Sequence, residues 1–223
     1  MTAAIIIPAL NEEHAIGGVV QSCAVFGSVI VVDDGSIDRT AEVARHAGAA
    51  VIRHPTNRGY DAALASGLAE GARVGASALV TIDADGQLAP ALVPLLIAPI
   101  ESGNADLVLG IRERPARTAE WLFNLYTRLR FNVPDILCGL KAVSTSLYLR
   151  HERETLRPSV NTALAVAGLR SGGRVAFVKV PVRPRKGASR FGSGLMANLR
   201  ILRALLAALL RDLQLRTAAG SSL

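Results

Sequence analysis

The chain is poor in aromatic residues and in cysteine, and each shortage excludes a class of protein. Aromatic residues make up 4% of its 223 residues, too few for the stacking platform on which single-stranded nucleic acid is bound. Two cysteines, Cys23 and Cys138, lie far apart in the sequence, which excludes a disulfide scaffold. We expect a reduced, cytoplasmic protein in which both thiols are small buried groups.

Long uncharged apolar stretches are also absent. A membrane-spanning helix needs about 20 predominantly apolar residues, whereas Arg200, Arg203 and Arg211 interrupt the leucine-rich segment 195–215. Its leucines recur with helical spacing, which predicts an amphipathic helix and a short tail over residues 195–223. Such a helix packs on the protein core or on a partner subunit, as in a homodimer, or it lies on a membrane surface.

The glycine motifs that bind phosphate groups are missing as well. The chain contains no G-x-x-x-x-G-K-[ST] loop, and no G-x-G-x-x-G follows its first apolar run; both motifs hold nucleotide phosphates with backbone amides. Nucleotidyltransferases that activate sugars carry a glycine-rich basic loop there, whereas this chain has PALNEE, starting at Pro8. We therefore expect a nucleotide diphosphate to be held mainly through a metal ion.

Charge is divided between the two halves of the chain. Residues 1–110 carry 5 Lys and Arg against 12 Asp and Glu, a net charge of −7, and residues 111–223 carry 20 against 6, a net charge of +14. A uniformly basic protein would suggest nucleic acid as the partner. This division instead suits a metal ion in the first half and an anionic partner in the second, so we expect no nucleic acid partner.

Half of the residues are hydrophobic, and they form short continuous runs that alternate with helical patterns. Such runs predict strands that are buried on both faces of a parallel sheet. The predicted strands cover residues 3–8, 28–33, 49–54, 78–83, 105–110 and, at a sheet edge, 174–180. The predicted helices cover residues 13–25, 38–47, 60–74, 90–101, 118–131 and 159–168. This order predicts an α/β fold with a mostly parallel sheet flanked by helices, as one domain over residues 1–194.

Polar clusters lie at the ends of three predicted strands: NEE from Asn11, DDGS from Asp33 and DADGQ from Asp83. Ligands of open α/β sheets bind beyond the carboxyl ends of the strands, so we expect the clusters to converge there. An isolated Asp at a strand end is usually a turn or a helix cap, whereas adjacent carboxylates repel one another without a cation. Asp83 and Asp85 are therefore predicted to bind Mg²⁺ or Mn²⁺, which prefer oxygen ligands.

At these motifs the chain resembles glycosyltransferase family 2. The segments PALNEE, VVDDGSIDRT, NRGYDAAL and DADGQ are similar to the nucleotide-binding half of that family, which has the Rossmann-like GT-A fold. The later segments GIRER, DILCGLKAVS and RPRKGASRFG are similar to those of dolichol- and polyprenyl-phosphate sugar transferases. The resemblance implies a half that binds nucleotide and metal, residues 1–110, and an acceptor half, residues 111–194.

The resemblance also assigns roles to individual residues. Those expected at the nucleotide are Pro8, Ala9, Asn11, Glu12, Asp33, Asp34, Arg58, Gly59, Asp83 and Ala84. Those expected to hold the metal ion, and through it the diphosphate, are Asp83, Asp85 and Gln87. Those expected to bind the acceptor phosphate are Arg112, Arg183, Arg185 and Arg190. Those expected to act in catalysis are Asp85, Arg112, Asp135 and Arg190.

The implied reaction is the inverting transfer of a hexose from a GDP- or UDP-sugar. If the acceptor is a polyprenyl or dolichyl phosphate, it is already an anion and needs positive charge rather than a base, which arginines supply. The protein would then work on the cytoplasmic face of a membrane, held there by its C-terminal helix. A soluble hydroxyl acceptor, as in cell-wall or natural-product glycosylation, requires a general base, for which Asp135 is the candidate. The sequence leaves both alternatives open.

Overall fold

The computed structural model describes residues 2–113, 118–156, 158–181 and 194–220 of the chain. Within these ranges seven strands form one sheet: β1 Ala3–Ala9, β2 Ser28–Asp33, β3 Ala50–Arg53, β4 Ala78–Thr81, β5 Leu107–Arg112, β6 Lys141–Ser144 and β7 Val175–Val180. Their order across the sheet is β3-β2-β1-β4-β6-β5-β7. Strand β6 is antiparallel to both of its neighbours, and the other pairings are parallel. The predicted mostly parallel sheet is confirmed.

The described residues also contain eight α-helices and two short 3-10 helices. The α-helices are α1 Ile16–Ala24, α2 Thr40–His46, α3 Tyr60–Arg73, α4 Val93–Glu101, α5 Thr118–Phe131, α6 Thr145–Arg150, α7 Val160–Arg170 and α8 Gly194–Gly220. The 3-10 helices are Pro90–Leu92 and Glu152–Leu156. Among the helices of the described ranges, none combines the length and the apolar content needed to cross a bilayer.

Strand β1 lies in the interior of the sheet. All seven of its residues are buried, because it pairs with β2 on one side and with β4 on the other and helices cover both faces. Continuous burial is the reason that its sequence, AAIIIPA, is apolar throughout rather than alternating. The two cysteines are also buried and form no disulfide, and burial raises the pKa of Cys23 to about 11, as expected of an inert core thiol.

The contacts of the chain divide it into two compact units. The first comprises residues 1–113 and 138–187 and contains the complete sheet with all helices except α5 and α8. The second comprises residues 114–137 and 188–223 and contains α5 and α8. The predicted domain over residues 1–194 and its division after residue 110 stay predictions.

Helix α3 packs against the sheet through glycine. A Cβ atom added to Gly67 would overlap the side chain of Ile6 and lie 3.2 Å from Val32 Cγ2, and one added to Gly71 would lie 2.8 Å from Leu79 Cδ2. The absence of side chains at both positions brings the helix axis close to β1 and β2. This close approach fixes the first residue of the helix, Tyr60, near the carboxyl ends of the strands.

In the second unit, α5 and α8 pack against each other. The Tyr126 hydroxyl on α5 donates a hydrogen bond of 2.8 Å to Asp212 Oδ2 on α8, and Arg130 Nε lies 3.4 Å from the same oxygen. Helix α8 also carries exposed leucines, including Leu202, Leu206 and Leu209. The predicted amphipathic helix is therefore present, with leucine on its exposed side.

Candidate active site

The loops that follow β1 and β2 are joined by hydrogen bonds at the carboxyl edge of the sheet. The backbone amide of Asn11 donates to Ser36 Oγ at 2.8 Å, and the side-chain oxygen of Asn11 accepts from the Ile37 amide at 2.9 Å. The Glu12 amide donates to Thr40 Oγ1 at 2.7 Å. Asn11 adopts the left-handed conformation, with φ of 49°, which asparagine tolerates better than most residues. Two of the predicted polar clusters therefore form one structure.

Asp33 is completely buried at the end of β2. One of its oxygens accepts a hydrogen bond of 3.1 Å from the Ser36 amide, and the other lies 3.1 Å from Arg53 Nε on β3. Because both oxygens face protein groups, Asp33 holds the β2 loop in place. Its predicted contact with the nucleotide stays a prediction.

Asp34 organises the loop that precedes α3. Its carboxylate is buried and accepts hydrogen bonds from the amides of Arg58, at 3.0 Å, and Gly59, at 2.7 Å. His54 Nδ1 lies 2.7 Å from the same carboxylate, and His54 Nε2 lies 3.0 Å from Ser66 Oγ. The structure thus joins the predicted residues Asp34, Arg58 and Gly59 in one cluster. Nothing in the sequence pattern singled out His54, whose partners come from two other elements.

Asp83 and Asp85 lie in the turn that follows β4. This strand ends at Thr81, two residues earlier than predicted, so both carboxylates belong to a turn at the edge of the sheet. Asp83 Oδ1 accepts a hydrogen bond of 3.0 Å from the Tyr60 hydroxyl, and Asp85 Oδ1 accepts one of 3.0 Å from the Gln87 amide. Tyr60 was not predicted as a site residue. Its only sequence signal was its position in the segment NRGYDAAL, next to the predicted residues Arg58 and Gly59.

The charges around Asp83 act in opposite directions. Burial raises the pKa of Asp83 most strongly, and the negative charge of Asp85 adds to this effect. The Tyr60 hydrogen bond and the positive charges of Lys141 and Arg112 lower it. Although 37% of the Tyr60 surface is exposed, burial and the Asp83 charge raise the pKa of its hydroxyl well above the usual value, so Tyr60 is a hydrogen-bond donor at neutral pH.

This pair of carboxylates suits a divalent cation that arrives together with phosphate. Asp85 disfavours the ionised form of Asp83, a repulsion that a cation between the two carboxylates relieves. Among the described residues, no three His, Cys, Asp or Glu side chains form a metal site by themselves. Mg²⁺ is typically bound by one or two carboxylates together with substrate phosphates and water, so the residues present fit such an ion.

Gly139 lies directly against the Asp83 carboxylate. A Cβ atom at this position would overlap Asp83 Oδ2 and lie 2.9 Å from its Cγ. The Gly139 carbonyl accepts a hydrogen bond of 2.9 Å from Thr81 Oγ1, and this hydroxyl accepts one of 3.0 Å from Asn161. Buried Lys141 donates to the Asn161 carbonyl at 3.3 Å. The turn before β6 thus brings a small residue, Gly139, to the carboxylate site, and the first residue of β6, Lys141, brings a positive charge.

The remaining predicted residues occupy different parts of the chain. Pro8 and Ala9 are buried at the end of β1, where the Ala9 carbonyl accepts from the Asp34 amide at 2.9 Å, and Ala84 is buried beside Asp83. Arg112 ends β5. Arg183, Arg185 and Arg190 lie outside the described residues.

Asp135 belongs to the second unit. Its side chain is buried, and its Oδ1 accepts hydrogen bonds from the Leu137 amide at 3.1 Å and from Asn124 Nδ2 at 3.5 Å. The Asn124 side chain in turn accepts from the Ile136 amide at 3.3 Å. These bonds fix the turn after α5, and the role of Asp135 as a base stays a prediction.

Comparison with known proteins identifies the family. Residues 4–151 match the profile described as Glycosyl transferase family 2. An uncharacterized glycosyltransferase of Mycobacterium tuberculosis is 30% identical over 201 residues, which are 85% of this chain and 89% of the relative. The polyprenol monophosphomannose synthase of Mycolicibacterium smegmatis is 33% identical over 160 residues, which are 62% of this chain.

The chain spans less than two thirds of several relatives: 60% of the M. smegmatis synthase and 45% of an uncharacterized protein of Methanocaldococcus jannaschii. Among solved structures, glucosyl-3-phosphoglycerate synthase of M. tuberculosis, crystallised with Mn²⁺, UDP-glucose and phosphoglyceric acid, is similar with a TM-score of 0.74 and 26% identity. This similarity covers 93% of the chain and 79% of that structure. The likeness confirms the GT-A fold, and the chain belongs to glycosyltransferase family 2.

Proposed function

We propose that the chain transfers a hexose from a nucleotide diphosphate sugar to a polyprenyl phosphate, with inversion at the anomeric carbon. The observation that carries the proposal is the pair Asp83 and Asp85 at the end of β4, beside the cluster that Asp34 organises. Repulsion between the two carboxylates favours the binding of Mg²⁺ or Mn²⁺ together with a diphosphate. The solved relative that was crystallised with Mn²⁺ and UDP-glucose supports the same class of donor.

Some residues bind the nucleotide, and others hold the ion that stabilises the departing diphosphate. We infer that the loops at Asn11 and at Arg58, which are fixed by Ser36 and by Asp34, line the nucleotide. Asp83, Asp85 and Gln87 would hold the divalent ion, which when bound supplies positive charge next to the departing diphosphate. These groups are positioned before the donor binds, and pre-positioned charge lowers the barrier of such a transfer.

The lipid phosphate acceptor is supported by relatives and by charge. The M. smegmatis relative is named a polyprenol monophosphomannose synthase, and one of Micrococcus luteus an undecaprenyl-phosphate mannosyltransferase. A lipid phosphate needs no general base, and Arg112 contributes positive charge close to Asp83. Arg183, Arg185 and Arg190 are proposed to add to it. The exposed leucines of α8 support a peripheral position on a membrane, and the cytoplasmic face is our proposal.

A soluble acceptor is the second candidate. The structurally similar glucosyl-3-phosphoglycerate synthase was crystallised with phosphoglyceric acid, and transfer to a hydroxyl group requires a base, for which Asp135 is proposed. The two candidates differ in where the labelled sugar is recovered. Transfer to a short polyprenyl phosphate moves the label into an organic phase, whereas transfer to phosphoglyceric acid leaves it in water.

The test is a donor screen with the purified chain, labelled UDP- and GDP-hexoses, Mn²⁺ or Mg²⁺, and both acceptors. We expect metal-dependent transfer to the lipid phosphate, and Asp85→Ala to lower it about a hundredfold because the ion loses a ligand. Glu42→Ala is the matched control, since the half-exposed side chain of Glu42 on α2 pairs only with exposed Arg39 before the helix in the described ion pairs. Full activity of Asp85→Ala, or retention of the donor configuration in proton NMR of the product, contradicts the proposal.

A further inference from the structure

We propose that Tyr60 and Gly139 form a clamp that orients the Asp83 carboxylate for the divalent ion, with Tyr60 as the positioning residue. The inference rests on the proposed function, because it assigns Asp83 to the metal ion. It adds two residues from separate elements, the start of α3 and the turn before β6, to the machinery of the site.

The Asp83 carboxylate contacts both groups. The Tyr60 hydroxyl donates to Oδ1 at 3.0 Å, while Oδ2 lies against Gly139, where even a methyl group would overlap it. Rotation of the Asp83 side chain would break the hydrogen bond to Tyr60, and the absence of a side chain at Gly139 leaves the space that this orientation of the carboxylate occupies. The hydrogen bond and this space therefore favour one orientation of the carboxylate before any ion binds.

Tyr60 is itself fixed by its neighbours in the chain. The amide of Gly59, directly before it, donates to Asp34 at 2.7 Å. Asp61, directly after it, accepts hydrogen bonds from the amides of Ser159, at 2.8 Å, and Val160, at 2.9 Å. With carboxylate contacts on both sides, the backbone at residue 60 has little freedom, and this determines where the hydroxyl points.

The geometry favours a role in binding over a role in stability. Tyr60 remains 37% exposed, so water can replace its hydroxyl as a partner of Asp83, and loss of this hydrogen bond costs the fold little. A hydrogen bond to a metal-ligating carboxylate has a larger effect on the metal, since removing such a partner typically weakens metal binding about tenfold to a hundredfold. The clamp therefore acts mainly on the affinity for the ion.

The test measures Mn²⁺ binding directly, by the electron paramagnetic resonance signal of free Mn²⁺, with UDP and with GDP as probes. We expect Tyr60→Phe to weaken Mn²⁺ binding about tenfold in the presence of the nucleotide that the chain binds. Its affinity for the nucleotide in EDTA and its melting temperature should stay unchanged. Tyr126→Phe is the matched control, because it removes a Tyr–Asp hydrogen bond of 2.8 Å in the second unit.

Gly139→Ala provides an independent variant of the same clamp. We expect it to weaken Mn²⁺ binding at least as much as Tyr60→Phe, since its methyl group displaces the carboxylate. Gly18→Ala, at a position with nothing within 4 Å of the added Cβ, is its control. If a folded Tyr60→Phe binds Mn²⁺ as the parent does, the clamp is overturned while the proposed function stands. If the parent chain fails to bind Mn²⁺ both in the presence of UDP and in the presence of GDP, the proposed function itself fails.

Discussion

Asp83 carries a conflict between folding and binding. Burial and the nearby charge of Asp85 raise its pKa, so without a cation the folded chain binds a proton at this position more readily than the unfolded chain does. The contribution of Asp83 to stability therefore falls as the pH rises through the raised pKa. A carboxyl group whose ionisation costs the fold stability is typical of a binding site rather than of a structural contact.

This conflict predicts that Asp83→Asn stabilises the metal-free chain at neutral pH, by a few degrees in melting temperature. The variant loses a disfavoured charge and keeps a carbonyl that can accept from Tyr60. In thermal denaturation with EDTA, the increase in melting temperature over the parent should become smaller towards acidic pH, where Asp83 of the parent is protonated. Asp106→Asn is the control and should lower the melting temperature at neutral pH, because Arg174 lowers the pKa of Asp106 and its charge stabilises the fold. A lower melting temperature of Asp83→Asn at neutral pH contradicts this reasoning.

Among the elements, α3 depends most clearly on the absence of a side chain. We expect Gly67→Ala to lower the free energy of unfolding by about 1–3 kcal/mol, because the methyl group pushes the helix away from Ile6 and Val32. Gly18→Ala, at an exposed position of α1, should instead raise it by up to about 1 kcal/mol through helix propensity. Urea denaturation measures both changes. Equal effects of the two substitutions would mean that α3 does not pack tightly on the sheet.

The elements differ in how far their sequence predicted them. Strand β2 and helix α5 have the predicted bounds, Ser28–Asp33 and Thr118–Phe131, because a continuous apolar run and a clear helical period define them. Strand β6 was missed: its four residues, KAVS, begin with a lysine and end with a serine that caps the next helix. Its burial depends on pairing with β4 and β5, which no local pattern encodes.

The site was predictable only in part for the same reason. The clusters at Asn11, Asp34 and Asp83 follow from strand ends, and the structure brings them to one edge of the sheet. The contact of Tyr60 with Asp83 and that of Gly139 with Asp83 join distant parts of the sequence. Such contacts depend on the docking of α3 and β6, which only the tertiary structure determines.

At the scale of the whole molecule, the two units expose different kinds of side chain. The first unit has carboxylates at the strand ends of its sheet. The second unit exposes apolar and basic side chains together: Trp121, Leu129 and Arg128 on α5, and Leu206 and Arg203 on α8. Apolar groups beside arginine are the composition with which a helix binds an anionic membrane surface.

This surface predicts that the chain sediments with anionic liposomes through α8. Replacing Leu202, Leu206 and Leu209 by Gln should reduce binding more than tenfold, since burying one leucine contributes about 1.5–3 kcal/mol. Leu156→Gln, which alters an exposed leucine of the first unit, is the control and should bind like the parent. High salt should weaken the parent's binding, because charge attraction is screened. Unchanged sedimentation of the triple variant with liposomes contradicts membrane binding by α8. If sedimentation velocity shows a dimeric parent and a monomeric triple variant, the leucines instead contact a partner subunit.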